Sequence, residues 1–464
     1  MASSSPQVAD NYGVDNLAFF TPKHLNSPGS PFDTSKPVPT LFTPLKIRDV
    51  TLRNRIIVAP MCQYSTAASG PDIGKLTDYH IATLGHYALK GASLVFVEAT
   101  GVQPNGRISP NCPGLWSDEQ TASFKRVSDF IKSQGALSGI QLAHAGRKAS
   151  TVPPWVAGKL GKPAGARATK EVGGWPENVV GPTGGSEQVW DGKGDDETGF
   201  WAPRQLSVSD IKELVNDFAQ AARRSVEAGM DVIEIHAAHG YLLHQFLSPV
   251  TNQRNDQYGG SFENRTRVLV EVLEAVRKAI PSSMPLFLRV SSTEWLEDTE
   301  IGKARGSWTV EDTIKLARLL PGLGVDLLDV SSGGNHPQQR INMFASKDYQ
   351  TKIADQIRKD LRGSNLQLLV GAVGLITEAE QARNIVDDTG VAATSTSQEP
   401  TIGQEAAAAK EMTQKSPNHE PMADVVLVAR QFLREPEWVL RVAWKLGVDV
   451  AWPNQFLRVR FPKL

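Results

Sequence analysis

Apolar positions along the chain fall into short runs separated by longer amphipathic stretches. Ile56–Ala59, Ser93–Glu98, Ser138–Leu142, Val232–His236, Leu286–Val290, Leu327–Ser331, Gln367–Gly371 and Val425–Ala429 are four to six residues long and rich in Val, Ile and Leu. Runs of that length and composition read as strands buried on both faces. The stretches between them carry apolar residues at helical spacing. Ser209–Ala228 opens on Ser209 with Asp210 and Glu213 in its first turn, and Phe262–Ile280 is stopped by Pro281, the start and stop signals of crossover helices. Alternating strands and helices imply a parallel sheet, and eight repeats imply closure, so the expected fold is an α/β (β/α)8 TIM barrel.

The 464 residues exceed the roughly 250 of one such barrel, and three stretches account for the excess. Residues 1–40, rich in Ser, Pro and Asn with Phe19 and Phe20 side by side, read as an extended N-terminal arm before a body spanning 41–464. Residues 151–205, rich in Gly, Pro and Trp, form a capping insertion after strand 3, as βα-side loops or a hairpin. Residues 391–419, dominated by Ala, Thr, Gln and Glu, form an insertion before strand 8, with part of it expected to be disordered.

Charge and cysteine content remove several function classes. A net charge of -1 and a pI near 6.8 offer no cationic field for nucleic acid or an anionic membrane. No apolar run approaches the roughly 20 residues of a membrane span, and the N-terminus lacks a signal pattern. A cytoplasmic protein is expected, with the terminal Pro462-Lys463-Leu464 as a weak peroxisomal alternative. Cys62 and Cys112, far apart and without CxxC spacing, argue against a disulfide framework or a thiolate zinc site.

Chemistry in this fold sits at the C-terminal ends of the strands. Strand 7 ends at Gly371-Ala372-Val373-Gly374 before a helix expected over Thr377–Asp387, and strand 8 ends at Ala429-Arg430. A small-residue turn, a helix N-terminus and an arginine together suit one phosphate-bearing cofactor. No G-x-G-x-x-G opens a βαβ unit and no P-loop occurs, which disfavours a separate nucleotide domain. His236 and His239 stand three apart where strand 4 turns. With a third ligand from His244 or Glu234 they would bind a metal, as in a barrel hydrolase. As hydrogen-bond donors they would hold a substrate carbonyl oxygen, with Tyr241 placed to protonate the adjacent carbon. Arg289 at the end of strand 5 could face a group that becomes anionic on reduction, Gln141 could meet a flavin pyrimidine edge, and backbone groups at Pro60–Cys62 and Ala99 could meet its N5 and O4.

Four long motifs in order resemble the old yellow enzyme family of flavin ene-reductases, in the branch of bacterial thermophilic-like members. They are APMCQYS (Ala59–Ser65), QLAHAGRKAS (Gln141–Ser150), IHAAHGYLLHQFLSP with the following N-x-R-x-D-x-Y-G-G-S-x-x-N-R (Ile235–Arg265), and GAVGLIT (Gly371–Thr377). The resemblance spans about Leu41 to Arg458, apart from the two insertions, and suggests a eukaryotic, fungal-type member. It implies non-covalent FMN held by Ala59, Pro60, Met61, Cys62, Ala99, Gln141, Arg289, Gly374, Ala429 and Arg430, with Cys62 adjusting the flavin potential. It further implies Tyr241, His236 and His239 as catalytic residues, and Tyr64 beside the histidines in the substrate pocket, with no metal. The implied reaction is ping-pong: NADPH or NADH reduces the flavin, which then reduces the C=C bond of an enone, enal or nitroalkene. A catalytically silent flavin-binding protein is the remaining alternative. Two distant cysteines exclude the iron–sulfur cluster of the related dienoyl-thioester reductases. Gln455-Phe456-Leu457-Arg458 resembles a tail by which some members place an arginine in a neighbour's active site, here with Phe for Tyr. A homo-oligomer through Arg458 would follow. A second departure is Ala429, where glycine is common; a backbone contact there survives if φ stays negative.

Overall fold

A computed structural model describes residues 11–32, 38–162, 165–191, 199–341, 346–387 and 420–462. Eight parallel strands close a barrel in chain order: β1 (Ile56–Val58), β2 (Leu94–Gly101), β3 (Leu137–Ala143), β4 (Val232–Ala237), β5 (Leu286–Ser291), β6 (Leu327–Ser331), β7 (Leu369–Val373) and β8 (Val425–Val428). β8 returns to β1 with Val426 opposite Ile56. The outer ring holds α1 (Asp78–Leu89), α2 (Thr121–Ser133), α3 (Val208–Glu227), α4 (Phe262–Ala279), α5 (Val310–Leu319), α6 (Thr351–Gly363), α7 (Ala379–Val386) and α8 (Trp438–Lys445).

All eight expected strands are present, with limits moved by at most three residues. Ala59 and Ala429 fall just beyond their strands, β2 runs on to Gly101, and β7 begins at Leu369. The start of α3 differs for a physical reason. Ser207, not Ser209, is the cap: its Oγ accepts from Asp210 N at 3.1 Å, and Asp210 Oδ2 accepts from Ser207 N at 2.8 Å. This reciprocal pair satisfies two backbone donors, so the helix starts one residue early. The helix expected over Thr377–Asp387 is the shorter α7.

Strand periodicity divides the side chains between two environments. Ile57, Leu94, Phe96, Val232, Phe287, Leu327, Val425 and Leu427 fill the barrel interior, where Phe96 and Phe287 meet at 6.1 Å between ring centroids. An antiparallel hairpin, Leu45–Ile47 with Val50–Leu52, adds Ile47 and Leu52 to that cluster and plugs the N-terminal mouth. The alternate residues, among them Val58, Val97, Ile235 and Leu288, pack outward against the helices. With the lower interior filled by apolar side chains, the inward positions nearer the strand ends are polar: Gln141, Glu234, His236, Arg289 and Asp329, all buried.

The described part of the arm lies against the body. Gly29 N donates to Ala451 O at 2.9 Å, and Phe19 stacks on Phe130 of α2 at 5.6 Å. The 151–205 insertion, expected as βα-side loops or a hairpin, carries a short parallel ladder, Val180–Gly181 with Arg204–Gln205. A long return between the paired segments permits parallel pairing that a tight turn forbids. The 391–419 insertion lies outside the described residues, as do Lys463 and Leu464. Among the described residues no helix is long and apolar enough to cross a membrane.

Candidate active site

His236 closes β4 on its inward face and is buried. Ala238 N donates to its Nδ1 at 3.3 Å, so the neutral ring carries its proton on Nε2. His239 sits in the left-handed region at φ 60, a conformation that its neighbours hold in place. Its N–H donates to Ser291 Oγ at 2.8 Å, and its Nε2 lies 2.7 Å from Ser331 Oγ. Gly240, at φ 72, follows; a Cβ there would stand 2.3 Å from Gly334 O, so only glycine lets the β4 and β6 loops meet. The rings of His236 and His239 lie 5.1 Å apart and those of His236 and Tyr241 5.0 Å apart, all edge-to-face.

Electrostatics assign protonation states to these three rings. Burial, reinforced by the positive charge of Arg289, pushes both imidazoles well below their ordinary pKa, leaving them neutral. Burial pushes the Tyr241 phenol well above its ordinary value, so it holds its proton. His244 takes no part. Its Nδ1 accepts from Gly240 N at 2.9 Å and its Nε2 lies 3.4 Å from Glu294 Oε1. Among the described residues no three His, Cys, Asp or Glu side chains converge as metal ligands.

The residues expected to hold FMN come together at the same end of the barrel. Ala59 and Ala99 are buried just past or within β1 and β2, while Pro60, Met61 and Cys62 continue from β1. Gln141 on β3 donates through Nε2 to Glu234 Oε1 at 2.8 Å. Arg289 on β5 pairs through Nε with Asp329, and its Nη2 is buried without a partner. An orphaned guanidinium N–H beside a row of backbone groups fits the electron-rich edge of a flavin. On the side expected to take the phosphate, Gly374 has φ 108, and a Cβ there would lie 2.4 Å from Gln350 Nε2 and 3.3 Å from the Tyr349 hydroxyl. This tight turn needs glycine, and it precedes α7. Ala429 keeps a negative φ of -110, the condition for its backbone contact, and Arg430 opens a short helix, exposed to solvent.

Several residues that the sequence did not single out complete the site. Lys148 Nζ donates to His239 O at 2.9 Å and Gly334 O at 3.1 Å, and lies over the rings of Trp190 and Tyr241. Burial lowers its pKa to about 7. Ser291 and Ser331 hold His239, and Gln350 bridges Ser332 Oγ (2.7 Å) and Val373 O (2.7 Å). Tyr64, at φ 52, meets Trp155 of the insertion edge-to-face at 5.8 Å. Cys62 and Cys112 prove to be neighbours: a side-chain hydrogen bond to Cys112, together with burial, pushes the Cys62 thiol well above its ordinary pKa. At the C-terminus Phe456 lies under Lys90 Nζ at 3.6 Å, while Gln455, Leu457 and Arg458 are exposed.

The chain as a whole is similar to known proteins. Residues 40–390 match the model of the NADH:flavin oxidoreductase / NADH oxidase family. A protein of Gibberella zeae described as an NADH:flavin oxidoreductase is 42% identical over 97% of this chain and 95% of its own length. An NADPH dehydrogenase of Listeria monocytogenes is 37% identical over 90% of this chain and 98% of its own. Among solved structures, morphinone reductase superposes with a TM-score of 0.60 at 25% identity, covering 90% of this chain and 92% of its own, and the same enzyme has been solved in complex with tetrahydroNAD. The chain therefore belongs to the NADH:flavin oxidoreductase / NADH oxidase family, the FMN-dependent oxidoreductases of the old yellow enzyme type.

Proposed function

We propose that the chain is an ene-reductase that oxidises NADPH or NADH and reduces the C=C bond of α,β-unsaturated carbonyl or nitro compounds. The observation that carries this reading is the trio of rings at the end of β4: two neutral imidazoles beside a protonated phenol, with His236 within 5.1 Å of both its neighbours. FMN, which Gln141, Arg289, Gly374 and Arg430 would hold, would supply the hydride transfer between nicotinamide and substrate.

The protein's own groups do the rest. His236 donates its Nε2–H to the substrate oxygen. In the tautomer of His239 whose Nε2 accepts from Ser331 Oγ, the ring proton sits on Nδ1 and serves as a second donor. Neutral donors suit an oxygen that gains charge during the reaction, because their hydrogen bonds strengthen as that charge grows yet they give up no proton to it. Tyr241 protonates the α-carbon. Tyr64 and Trp155 form an aromatic wall against which a planar acceptor can lie, and the buried Nη2 of Arg289 would face the flavin edge that becomes negative. Arg458, exposed on the tail, belongs to the same reading as a donor to a neighbouring copy's site.

The metal-hydrolase alternative lacks a third ligand among the described residues, because His244 is turned toward Glu294. The test is the visible absorption of the purified protein, followed anaerobically through addition of NADPH and then cyclohexenone. Bleaching by NADPH and recovery with the enone are expected. A yellow protein that bleaches but is not reoxidised by any enone or nitroalkene would refute the substrate class, and a protein that takes up no FMN would refute the whole reading.

A further inference from the structure

Beneath the histidines lies a layer of buried charge, of which the reaction above uses only Arg289. Glu234 on β4 and Asp329 on β6 are fully buried, and β5 between them carries Arg289, with Asp329 and His236 as its register partners. Arg289 Nε donates to Asp329 Oδ2 and lies 3.8 Å from Glu234 Oε1, which also accepts from Gln141. One oxygen on each acid, Glu234 Oε2 and Asp329 Oδ1, is buried with no other partner. Two carboxylates thus share one guanidinium inside a closed barrel. Full ionisation would leave one buried negative charge uncompensated, which a low-dielectric interior strongly disfavours.

The surrounding groups do not supply the missing positive charge. His236 is neutral and Cys62 keeps its proton. Glu98 on β2 adds a further carboxyl, which accepts from Gln63 N and lies 3.7 Å from His80 Nε2. Lys148 lies at the loop carbonyls of His239 and Gly334. A bound proton is the remaining way to balance the layer.

We propose that Glu234 and Asp329 hold one proton between them, so that the layer around Arg289 is neutral and the pair sets the positive charge Arg289 offers to the bound flavin. The two acids are positioning residues that act through Arg289. Burial pushes Glu234 up to about 8 and raises Asp329 as well. The proposal rests on the reading that FMN lies over Arg289.

The first test is infrared spectroscopy of the holoenzyme near neutral pH in H2O and D2O. A protonated-carboxyl C=O band, sensitive to D2O, is expected, and it should vanish in Glu234→Gln and in Asp329→Asn alike, since each leaves one carboxylate paired with Arg289. Absence of the band from the wild type, or its survival in both variants, overturns the proposal. The second test is the flavin midpoint potential. Because either single substitution removes a proton along with a charge, the layer stays neutral and the potential should stay within a few-fold in the relative binding of reduced and oxidised flavin. If both acids were ionised in the wild type, each variant would gain a net positive charge and favour the reduced form by tenfold or more, about 30 mV for a two-electron couple; that shift also overturns the proposal. A protein that binds no flavin would instead defeat the functional reading, while the infrared band would still report the shared proton.

Discussion

Replacing Tyr241 by phenylalanine removes the hydroxyl and keeps the ring. The edge-to-face contact with His236 at 5.0 Å and the Lys148 Nζ contact at 5.2 Å from the ring centroid both involve the aromatic face or edge, so Phe retains them. The folded state should lose no more than about 1 kcal/mol, the scale of one hydrogen bond. The catalytic effect is larger and falls on one half-reaction. Loss of a positioned proton donor costs about 10²- to 10⁴-fold, so reoxidation of the reduced enzyme by cyclohexenone should slow by at least about 10²-fold, or roughly 2.7 kcal/mol in the barrier. Reduction by NADPH needs no proton from Tyr241 and should change little. Anaerobic stopped-flow absorption separates the two steps. Because burial raises the phenol pKa well above its ordinary value, Tyr241 should keep its proton from about pH 6 to about pH 9, so its ionisation should not slow the wild-type oxidative step in that range. Equal slowing of both half-reactions in Tyr241→Phe would refute the assignment and point to a disturbed pocket.

Other consequences are open to simpler measurements. Gly374→Ala places a Cβ 2.4 Å from Gln350 Nε2 at a φ of 108; the strain should cost about 1–3 kcal/mol, read as a lower Tm together with weaker FMN binding, and an unchanged flavin Kd would remove Gly374 from the phosphate site. His144 is buried, its Nδ1 accepts from Gly146 N at 3.0 Å, and burial lowers its pKa to about 3. The unfolded chain takes up this proton below its ordinary value of 6.5 while the folded chain does not. Stability is therefore complete above that value and falls by about 1.4 kcal/mol per pH unit per such histidine on acidification; equal urea midpoints at neutral and mildly acidic pH would contradict this. The Cys62 thiol, held protonated by Cys112 and burial, should react with iodoacetamide more slowly than a free cysteine near neutral pH. Alkylation at the rate of a free cysteine would show a thiolate there instead.

The lengths and periods of the apolar runs were enough to place every barrel strand to within a few residues, because a strand buried on both faces is apolar over most of its length. Local motifs were equally legible. His236, His239 and Tyr241 lie within one turn of chain, and their grouping follows from the end of a single strand. Three features were beyond reach. The cap of α3 at Ser207 depended on which of two serines could close a reciprocal pair with Asp210. Cys62 and Cys112 read as unrelated, yet the loops after β1 and β2 bring them together, tied by Thr66 Oγ1 donating to Cys112 O at 2.9 Å. The serines that hold His239 come from β5 and β6, and the charged layer takes one member each from β4, β5 and β6. Hydrophobic periodicity tells which residues face inward, but which inward residues share a level depends on the stagger between strands in the closed barrel. That stagger is set by the closure of the whole sheet, so the sequence determined the barrel and the identity of its chemical groups, while the tertiary structure alone decided which of them touch.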